Sequence, residues 1–239
     1  PLAVGEGPVV RCRAVISALL VALSQAAAGS AQIVGVVASY SFEEGRGKAT
    51  ADSTGNNAAG VLVEPTWTTD GKCGKALLFD GFRDFVDLGA GGGLKITGSM
   101  SIGAWIYATG ARPTNDDAVI VSKRDRYGFQ LDTSPDTGRR TIGFKLTNTS
   151  GRDMIRYGAT ELQMDRWYHL VGVYDAPAKA MDVYVNGVLD NGELSGTVTD
   201  QQVDSALNVN IGRRPGRPGR FEFKGMIDEL RIYARPLTQ

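Results

Sequence analysis

The sequence is poor in the residues that build soft-metal sites and disulfide-stapled scaffolds. Among 239 residues there is one histidine and there are two cysteines. Zinc sites built from His and Cys need three or four nitrogen or sulfur ligands, so such a site is nearly excluded, and so is a framework of several disulfides. The net charge is zero, with 26 basic and 26 acidic residues. Binding of nucleic acid through bulk charge is therefore not expected.

The sequence also lacks helical periodicity, since no stretch keeps a helical spacing of apolar residues for three turns. Short apolar or alternating runs follow one another from residue 35 onwards, separated by Gly, Asn, Asp and Pro. The clearest pair is 166–175 (RWYHLVGVYD) and 181–186 (MDVYVN), and Asn186-Gly187 is typical of a tight hairpin turn. Recurring strands without crossover helices predict an all-β fold, an antiparallel two-sheet jelly-roll sandwich.

Residues 1–31 have the pattern of a secretory signal peptide and an upstream segment. Arg11 and Arg13 precede a short apolar run at 14–23, and small residues follow it. This run is too short for a comfortable transmembrane span, which needs roughly 20 apolar residues. A buried helix or an uncleaved anchor is the alternative. We therefore expect one mature domain over 32–239, secreted or at the cell surface, without a stable membrane span.

The two cysteines and the single histidine give little indication of a catalytic site. If Cys12 is removed with the signal peptide, Cys73 stands alone, and it is then most simply a buried small hydrophobe, with an intermolecular disulfide as the alternative. His169 lies inside a strand pattern two residues after Trp167, and no Ser, Cys or Asp is visibly arranged as its catalytic partner. We therefore expect His169 to pack structurally.

Eight short phrases follow one another along the chain. They are ASYSFEEG at 38–45, ADSTGNN at 51–57, GKALLFDG at 74–81, FVDL at 85–88, SIGAWI at 101–106, RWYHL at 166–170, VYVNG at 183–187 and GMIDELRIY at 225–233. In this order they resemble the LamG-like jelly-roll family of the concanavalin A-like lectin/glucanase superfamily. The resemblance implies two stacked, curved sheets, usually one module of a larger secreted or surface protein. It also implies, in many members, a bound calcium ion and a carbohydrate- or protein-binding role. Because the functions of the family are so varied, the fold alone does not identify the ligand.

The residues themselves offer a candidate calcium site. Asp228 alternates with Met226, Leu230 and Ile232, which places its carboxylate on an apolar face, and this is costly without a cation or hydrogen bonds. The loop 52–57 (DSTGNN) is bent by glycine and rich in the oxygen atoms that a hard cation prefers. The first and last strands of a jelly roll are commonly neighbours, so the loop and Asp228 could meet.

We therefore expect calcium bound by the carboxylates of Asp52 and Asp228 and by the backbone oxygen of Asn57, and the family resemblance also implies calcium near this loop. The alternative is an Asx-turn at Asp52, with Asp228 held by backbone N–H groups or by an arginine.

Candidate ligand-binding residues lie in two basic segments. The segment 212–220 (GRRPGRPGR) carries four arginines among prolines and glycines and must be a loop. Its Arg213, Arg214 and Arg217 could hold carboxylate or sulfate groups of an acidic glycan, a solvated loop being the alternative. A second basic run, KRDR, precedes Tyr127, whose ring could stack on a sugar or begin a buried strand.

Catalysis is disfavoured. The laminarinase-like enzymes of the superfamily carry their carboxylates as E-x-D-x-E on one strand, a spacing that this chain lacks, and Asp116-Asp117 falls in a loop with no visible partner. We predict a non-catalytic, calcium-stabilised extracellular module that binds carbohydrate or an extracellular protein and belongs to a larger multidomain chain. A structural or adhesion spacer is the first alternative, and a glycan hydrolase or lyase on the same fold is the second.

Overall fold

The computed structural model describes residues 35–110 and 116–238. The predicted signal peptide at 1–31 lies outside the described residues. None of the helical segments within the described residues has the length and apolar character to cross a membrane. The described chain forms one short 3-10 helix, Gly92–Leu94, and 17 strands. The strands are β1 (Val36–Tyr40), β2 (Ala49–Thr50), β3 (Gly60–Val63), β4 (Thr66–Thr68), β5 (Ala76–Asp80), β6 (Phe85–Asp87), β7 (Met100–Ala108), β8 (Ala118–Ser122), β9 (Gln130–Ser134), β10 (Thr141–Thr147), β11 (Asp153–Gly158), β12 (Trp167–Asp175), β13 (Ala180–Val185), β14 (Val188–Leu189), β15 (Asn191–Ser195), β16 (Asn210–Ile211) and β17 (Lys224–Tyr233).

The described strands form two antiparallel sheets, which confirms the predicted jelly-roll class. One sheet has eight strands, in the order β14-β13-β12-β7-β17-β5-β4 with β1 paired to β17. The other has nine, in the order β15-β11-β10-β9-β8-β16-β6-β3-β2. Asn186 and Gly187 both have positive φ, 53° and 82°, so the predicted turn between β13 and β14 has the backbone that a tight hairpin requires.

The core lies between the two sheets and is built by alternation along each strand. On β10, Ile142, Phe144 and Leu146 are fully buried, and they lie in the same apolar cluster as Leu170 of β12. The sheets approach closely at Gly172, where an added Cβ would lie 2.4 Å from Cγ of Phe144. A glycine is therefore required there by space rather than by backbone conformation.

The last strand, β17, does not alternate along its whole length. Near Asp228 its pairing with β7 shifts register, and Glu229 has a φ of 50°, which marks a β-bulge. Leu230 and Ile232 lie in the core, whereas Asp228 lies on the opposite face, across from Trp105. The prediction that Asp228 shares the apolar face of Leu230 and Ile232 is therefore wrong, because the bulge adds one residue to the strand.

The outward face of the eight-stranded sheet carries the rare residues. His169 packs against Trp105 with their ring centroids 5.1 Å apart. Burial, together with the charge of Arg231, lowers the pKa of His169 to about 4, so its imidazole is neutral at pH 7. The structural packing predicted for His169 is confirmed. Cys73 is half-buried and disulfide-bonded. The prediction of a lone thiol concerns the chain after removal of Cys12, and it stays a prediction.

Candidate functional site

The nine-stranded sheet turns a set of buried polar side chains away from the core. On β9, Leu131 enters the core, while Gln130, Asp132 and Ser134 point to the other side. On β10, Lys145 likewise alternates with core residues and pairs in register with Gln130. The register also places Asp132 across from Gly143, which in turn lies across from Tyr157 of β11. We call the group formed by Gln130, Asp132, Ser134, Lys145 and Tyr157, together with Asp117, which contacts Ser134 and Lys145, the polar face.

Lys145 is the centre of the charges on the polar face. Its ammonium lies 2.7 Å from Oδ2 of Asp117, 3.1 Å from Oδ2 of Asp136 and 3.5 Å from Oδ2 of Asp132. Tyr157 donates its hydroxyl hydrogen to Oδ2 of Asp136 at 2.7 Å. Three carboxylates therefore share one ammonium, and the sum of these charges is negative.

The carboxylates of this group differ in their proton affinity. Burial raises the pKa of Asp132 to about 7, and the charge of Asp117 adds to the effect, while Lys145 opposes it. Burial acts in the same direction on Asp136, but the hydrogen bond from Tyr157 and the charge of Lys145 outweigh it, so that the pKa of Asp136 is lowered. Two carboxylates that contact the same lysine thus have pKa values shifted in opposite directions.

Asp132 also has an unused acceptor. Its Oδ2 accepts a hydrogen bond from Nε2 of Gln130, whereas its Oδ1 is buried and has no hydrogen-bond partner among the described residues. Oδ1 lies over Gly143, where an added Cβ would come within 2.3 Å of it. The glycine therefore leaves room for the carboxylate of Asp132 on the polar face.

Unused donors come from an arginine that the sequence places just after β8. Arg124 is only 5% exposed, and its Nη2 lies 2.7 Å from Oδ2 of Asp153 at the start of β11. Its Nε and Nη1 are buried without a hydrogen-bond partner among the described residues, and so is Nε of Arg214. Arg214 donates from Nη2 to the carbonyl of Asp125, and Arg217 donates from Nε to Oδ1 of Asp125 at 3.0 Å. Asp125 therefore joins the loop 212–220 to the segment after β8.

The structure separates the four predicted ligand-binding residues into different settings. Arg214 and Arg217 meet at Asp125. Arg213 donates from Nε to Oδ1 of Asn210, and its Cζ lies 3.2 Å from the centre of the ring of Phe85. Tyr127 is 47% exposed and lies beside Gly151 of the turn between β10 and β11. A ligand-binding role stays a prediction for each of these residues.

The loop at Asp52 has the geometry of the Asx-turn alternative. The carboxylate of Asp52 accepts five hydrogen bonds from three residues: from the N–H of Ser39, from the N–H and hydroxyl of Thr54, and from the N–H and side-chain amide of Asn57. Burial works to raise the pKa of Asp52, but these bonds outweigh it and lower the pKa. The donors point their hydrogens at the oxygens that a cation would need.

Asp228 forms a separate arrangement. It is fully buried, its Oδ2 accepts a hydrogen bond from the N–H of Cys73 at 2.8 Å, and its Oδ1 has no partner among the described residues. Burial raises the pKa of Asp228 to about 7. In the part of the chain that the structure describes, no three His, Cys, Asp or Glu side chains are grouped to hold a metal ion. Calcium binding by Asp52, Asn57 and Asp228 stays a prediction.

Sequence reasoning missed the charged members of the polar face. Asp117 was assigned to a loop without a visible partner, yet it contacts Ser134 and Lys145, which lie 17 and 28 residues away in sequence. The signal that could have found the site is the alternation on β9, where Gln130, Asp132 and Ser134 occupy every second position.

Comparisons with known proteins agree with this architecture. A laminin G family model, described as the concanavalin A-like lectin/glucanases superfamily, matches residues 80–239. None of the curated proteins matches the chain.

Among solved structures, the binding domain of Paraclostridial Mosquitocidal Protein 1 is similar with a TM-score of 0.65 at 15% identity, and the alignment covers 85% of this chain and 50% of that one. The binding domain of Botulinum neurotoxin serotype G has a TM-score of 0.62 at 12% identity, with 85% and 48% covered. A Trypanosoma rangeli sialidase in complex with sialic acid has a TM-score of 0.57 at 11% identity, with 85% and 31% covered. At these identities the likeness shows the fold alone, and the chain spans half or less of each of these structures.

Proposed function

The chain belongs to the concanavalin A-like lectin/glucanases superfamily, and on that premise we propose that it is a non-catalytic extracellular module that binds carbohydrate through the polar face. An extracellular protein is the other class of partner that the fold would suit. The signal-peptide pattern of residues 1–31 supports the extracellular setting. The solved structures with this fold include two described as binding domains, which supports a binding role by analogy of fold.

The observation that carries the proposal is the pairing of unused donors with an unused acceptor. Arg124 has two buried donor atoms without a partner among the described residues, and Asp132 has one such acceptor atom. Leaving one such group unsatisfied costs about 1–3 kcal/mol. Sugar hydroxyls donate and accept at once, so a carbohydrate that contacts both Arg124 and Asp132 would satisfy both kinds of group.

The shifted pKa values of carboxylates around Lys145 support the same proposal. Groups with strongly shifted pKa values are concentrated at functional sites, because burial and neighbouring charge are tolerated where a ligand repays them. Asp132, with a pKa of about 7, and Asp136, with a lowered pKa, are two such groups around one lysine. A core built for stability alone would favour apolar residues at these positions.

A glycan array tests the proposal directly. The whole chain is applied to neutral and acidic oligosaccharides, and binding of the hits is then measured by calorimetry. We expect Arg124→Gln to abolish the binding that the wild-type chain shows, because it removes the unused donors. Arg166→Gln is the matched control, since Arg166 is exposed and precedes β12 of the other sheet.

The outcomes of this experiment separate the three classes of function. Retention of binding by Arg166→Gln and its loss in Arg124→Gln, with both variants folded by circular dichroism, supports the proposal. Absence of binding to every glycan overturns it in favour of a structural spacer or a protein-binding module.

One observation favours the enzyme alternative. Burial, together with the nearby charge of Asp117, raises the pKa of Asp132 to about 7, and a catalytic acid requires a raised pKa. Against this, both carboxylates contact the ammonium of Lys145. Mass spectrometry of the bound oligosaccharides after prolonged incubation decides the point, and cleaved products would contradict the non-catalytic proposal.

A further inference from the structure

We propose that Arg124 and Arg214 form an anion site at the border of the polar face, which holds the single carboxylate or sulfate group of an acidic glycan. This inference rests on the proposed carbohydrate-binding function and names the class of sugar that the site selects.

The geometry supplies the donors for such a group. Of the three nitrogen atoms in the guanidinium of Arg124, one bonds Asp153 and two are buried without a partner among the described residues. Arg214 adds its Nε, which is also buried without a hydrogen-bond partner among the described residues. A guanidinium presents its N–H groups in a fixed fork that matches the oxygens of a carboxylate or sulfate, and charge-assisted hydrogen bonds of this kind are the strong ones.

The charges around Arg214 favour the binding of one anion. Burial lowers the pKa of Arg214, and the neighbouring positive charges of Arg124 and Arg217 lower it further, while Asp117 and Asp125 oppose them. Arg124 is paired with Asp153, and Arg217 with Asp125. Arg214 itself has no carboxylate within 4.0 Å among the described residues, and its one hydrogen bond goes to a backbone carbonyl. A ligand with one negative charge would relieve the repulsion between the arginines.

The rest of the loop 212–220 is not part of this site. Arg213 is held by Asn210 and stacked on Phe85, and Arg220 lies 3.4 Å from Oδ2 of Asp116. Two of the four arginines, Arg217 and Arg220, are therefore paired with a carboxylate, and the site is narrower than the run of four arginines suggests. Since Asp117 and Asp132 lie on the neighbouring polar face, a polyanion would meet repulsion there. The site fits an isolated acidic sugar flanked by neutral ones.

Nuclear magnetic resonance of the arginine side chains tests the proposal. The whole chain is titrated with sodium glucuronate and, in parallel, with glucose, at constant ionic strength in chloride. We expect saturable shifts of the Nε–Hε signals of Arg124 and Arg214 with glucuronate alone. Arg214→Gln should weaken glucuronate binding about tenfold or more, because hydrogen bonds to charged groups contribute about 1.5–3 kcal/mol. Arg46→Gln is the control for net charge, since Arg46 is exposed in the turn before β2.

Each outcome bears on the proposal. Weakened binding in Arg214→Gln but not in Arg46→Gln supports it. Absence of a saturable shift, equal shifts with glucose, or equal loss in both variants overturns it. The half-exposed Arg214 can be replaced without disturbing a core position, so the test does not depend on the buried Arg124. If neutral glycans bind on the array and glucuronate does not, this inference fails and the proposed function stands. If glucuronate binds and no glycan does, the anion site stands and the proposed function fails.

Discussion

The substitution Asp132→Asn should stabilise the protein at neutral and alkaline pH and leave its stability nearly unchanged in acid. Asp132 is fully buried, and its pKa is raised from 3.8 to about 7, chiefly by burial. Between these two pH values the folded state binds the proton more tightly than the unfolded state does. The stability that this proton contributes is complete below pH 3.8 and is lost as the pH rises through 7.

The magnitude follows from the same two pKa values. At 1.36 kcal/mol for each pKa unit, the interval from 3.8 to about 7 corresponds to about 4 kcal/mol at pH 8. For a chain of this size, that free energy raises the melting temperature by about 8–16 °C. The asparagine carries no charge at any pH and can still accept the hydrogen bond from Gln130, so it avoids this loss.

Urea unfolding of the whole chain at pH 4, 6 and 8, followed by circular dichroism, measures the effect. Asp136→Asn is the matched control, because the pKa of Asp136 is lowered in the folded state and its ionised form is stabilising. This control should be less stable than the wild-type chain by about the same amount at all three pH values, because the pKa of Asp136 is lowered from 3.8 and its carboxylate stays ionised in the folded state across this range. If Asp132→Asn reduces the free energy of unfolding equally at all three pH values, the buried charge is not costly and the reasoning fails.

Two further predictions concern the core and the Asp52 loop. Gly172→Ala should lower the free energy of unfolding, measured by calorimetry, by about 1–3 kcal/mol, because the new methyl overlaps Phe144. Gly103→Ala is the control and should lower it less, because its Cβ would lie 3.2 Å from Val171. Equal losses in the two variants would contradict the packing argument. Asp52→Ala should cost about 2–4 kcal/mol through its lost hydrogen bonds. Melting temperatures with calcium and with a chelator test the predicted calcium site: a rise with calcium that Asp52→Ala removes would support it, and equal temperatures would contradict it.

The fold could be predicted from the sequence because its signals are local. Alternation in RWYHLVGVYD and MDVYVN marks strand faces within ten residues, and Asn186-Gly187 fixes one turn by backbone conformation alone. The bulge at Glu229 escaped the same reasoning, because one extra residue inverts the faces that follow and nothing in the spacing of GMIDELRIY announces it.

The candidate site could be predicted only in outline, because its members are distant in sequence. The sequence drew attention to the arginine-rich loop and to the KRDR run, yet it gave no measure of which guanidinium is buried. Arg124 is buried and reaches Asp153, 29 residues further along the chain, whereas Arg126 is exposed. Such contacts depend on the pairing order of the strands, which the local pattern does not contain.

The pairing of β1 with β17 sets how the module would respond to a pulling force. Val36, at the start of β1, pairs with Tyr233, at the end of β17, so both strands can be loaded from the same end of the ladder. The hydrogen bonds between antiparallel strands lie perpendicular to the strands. A force that separates Val36 from Tyr233 therefore opens these bonds pair by pair instead of straining all of them together. In a chain under tension, this domain would unfold at low force and lengthen the chain, and it would not act as a rigid link.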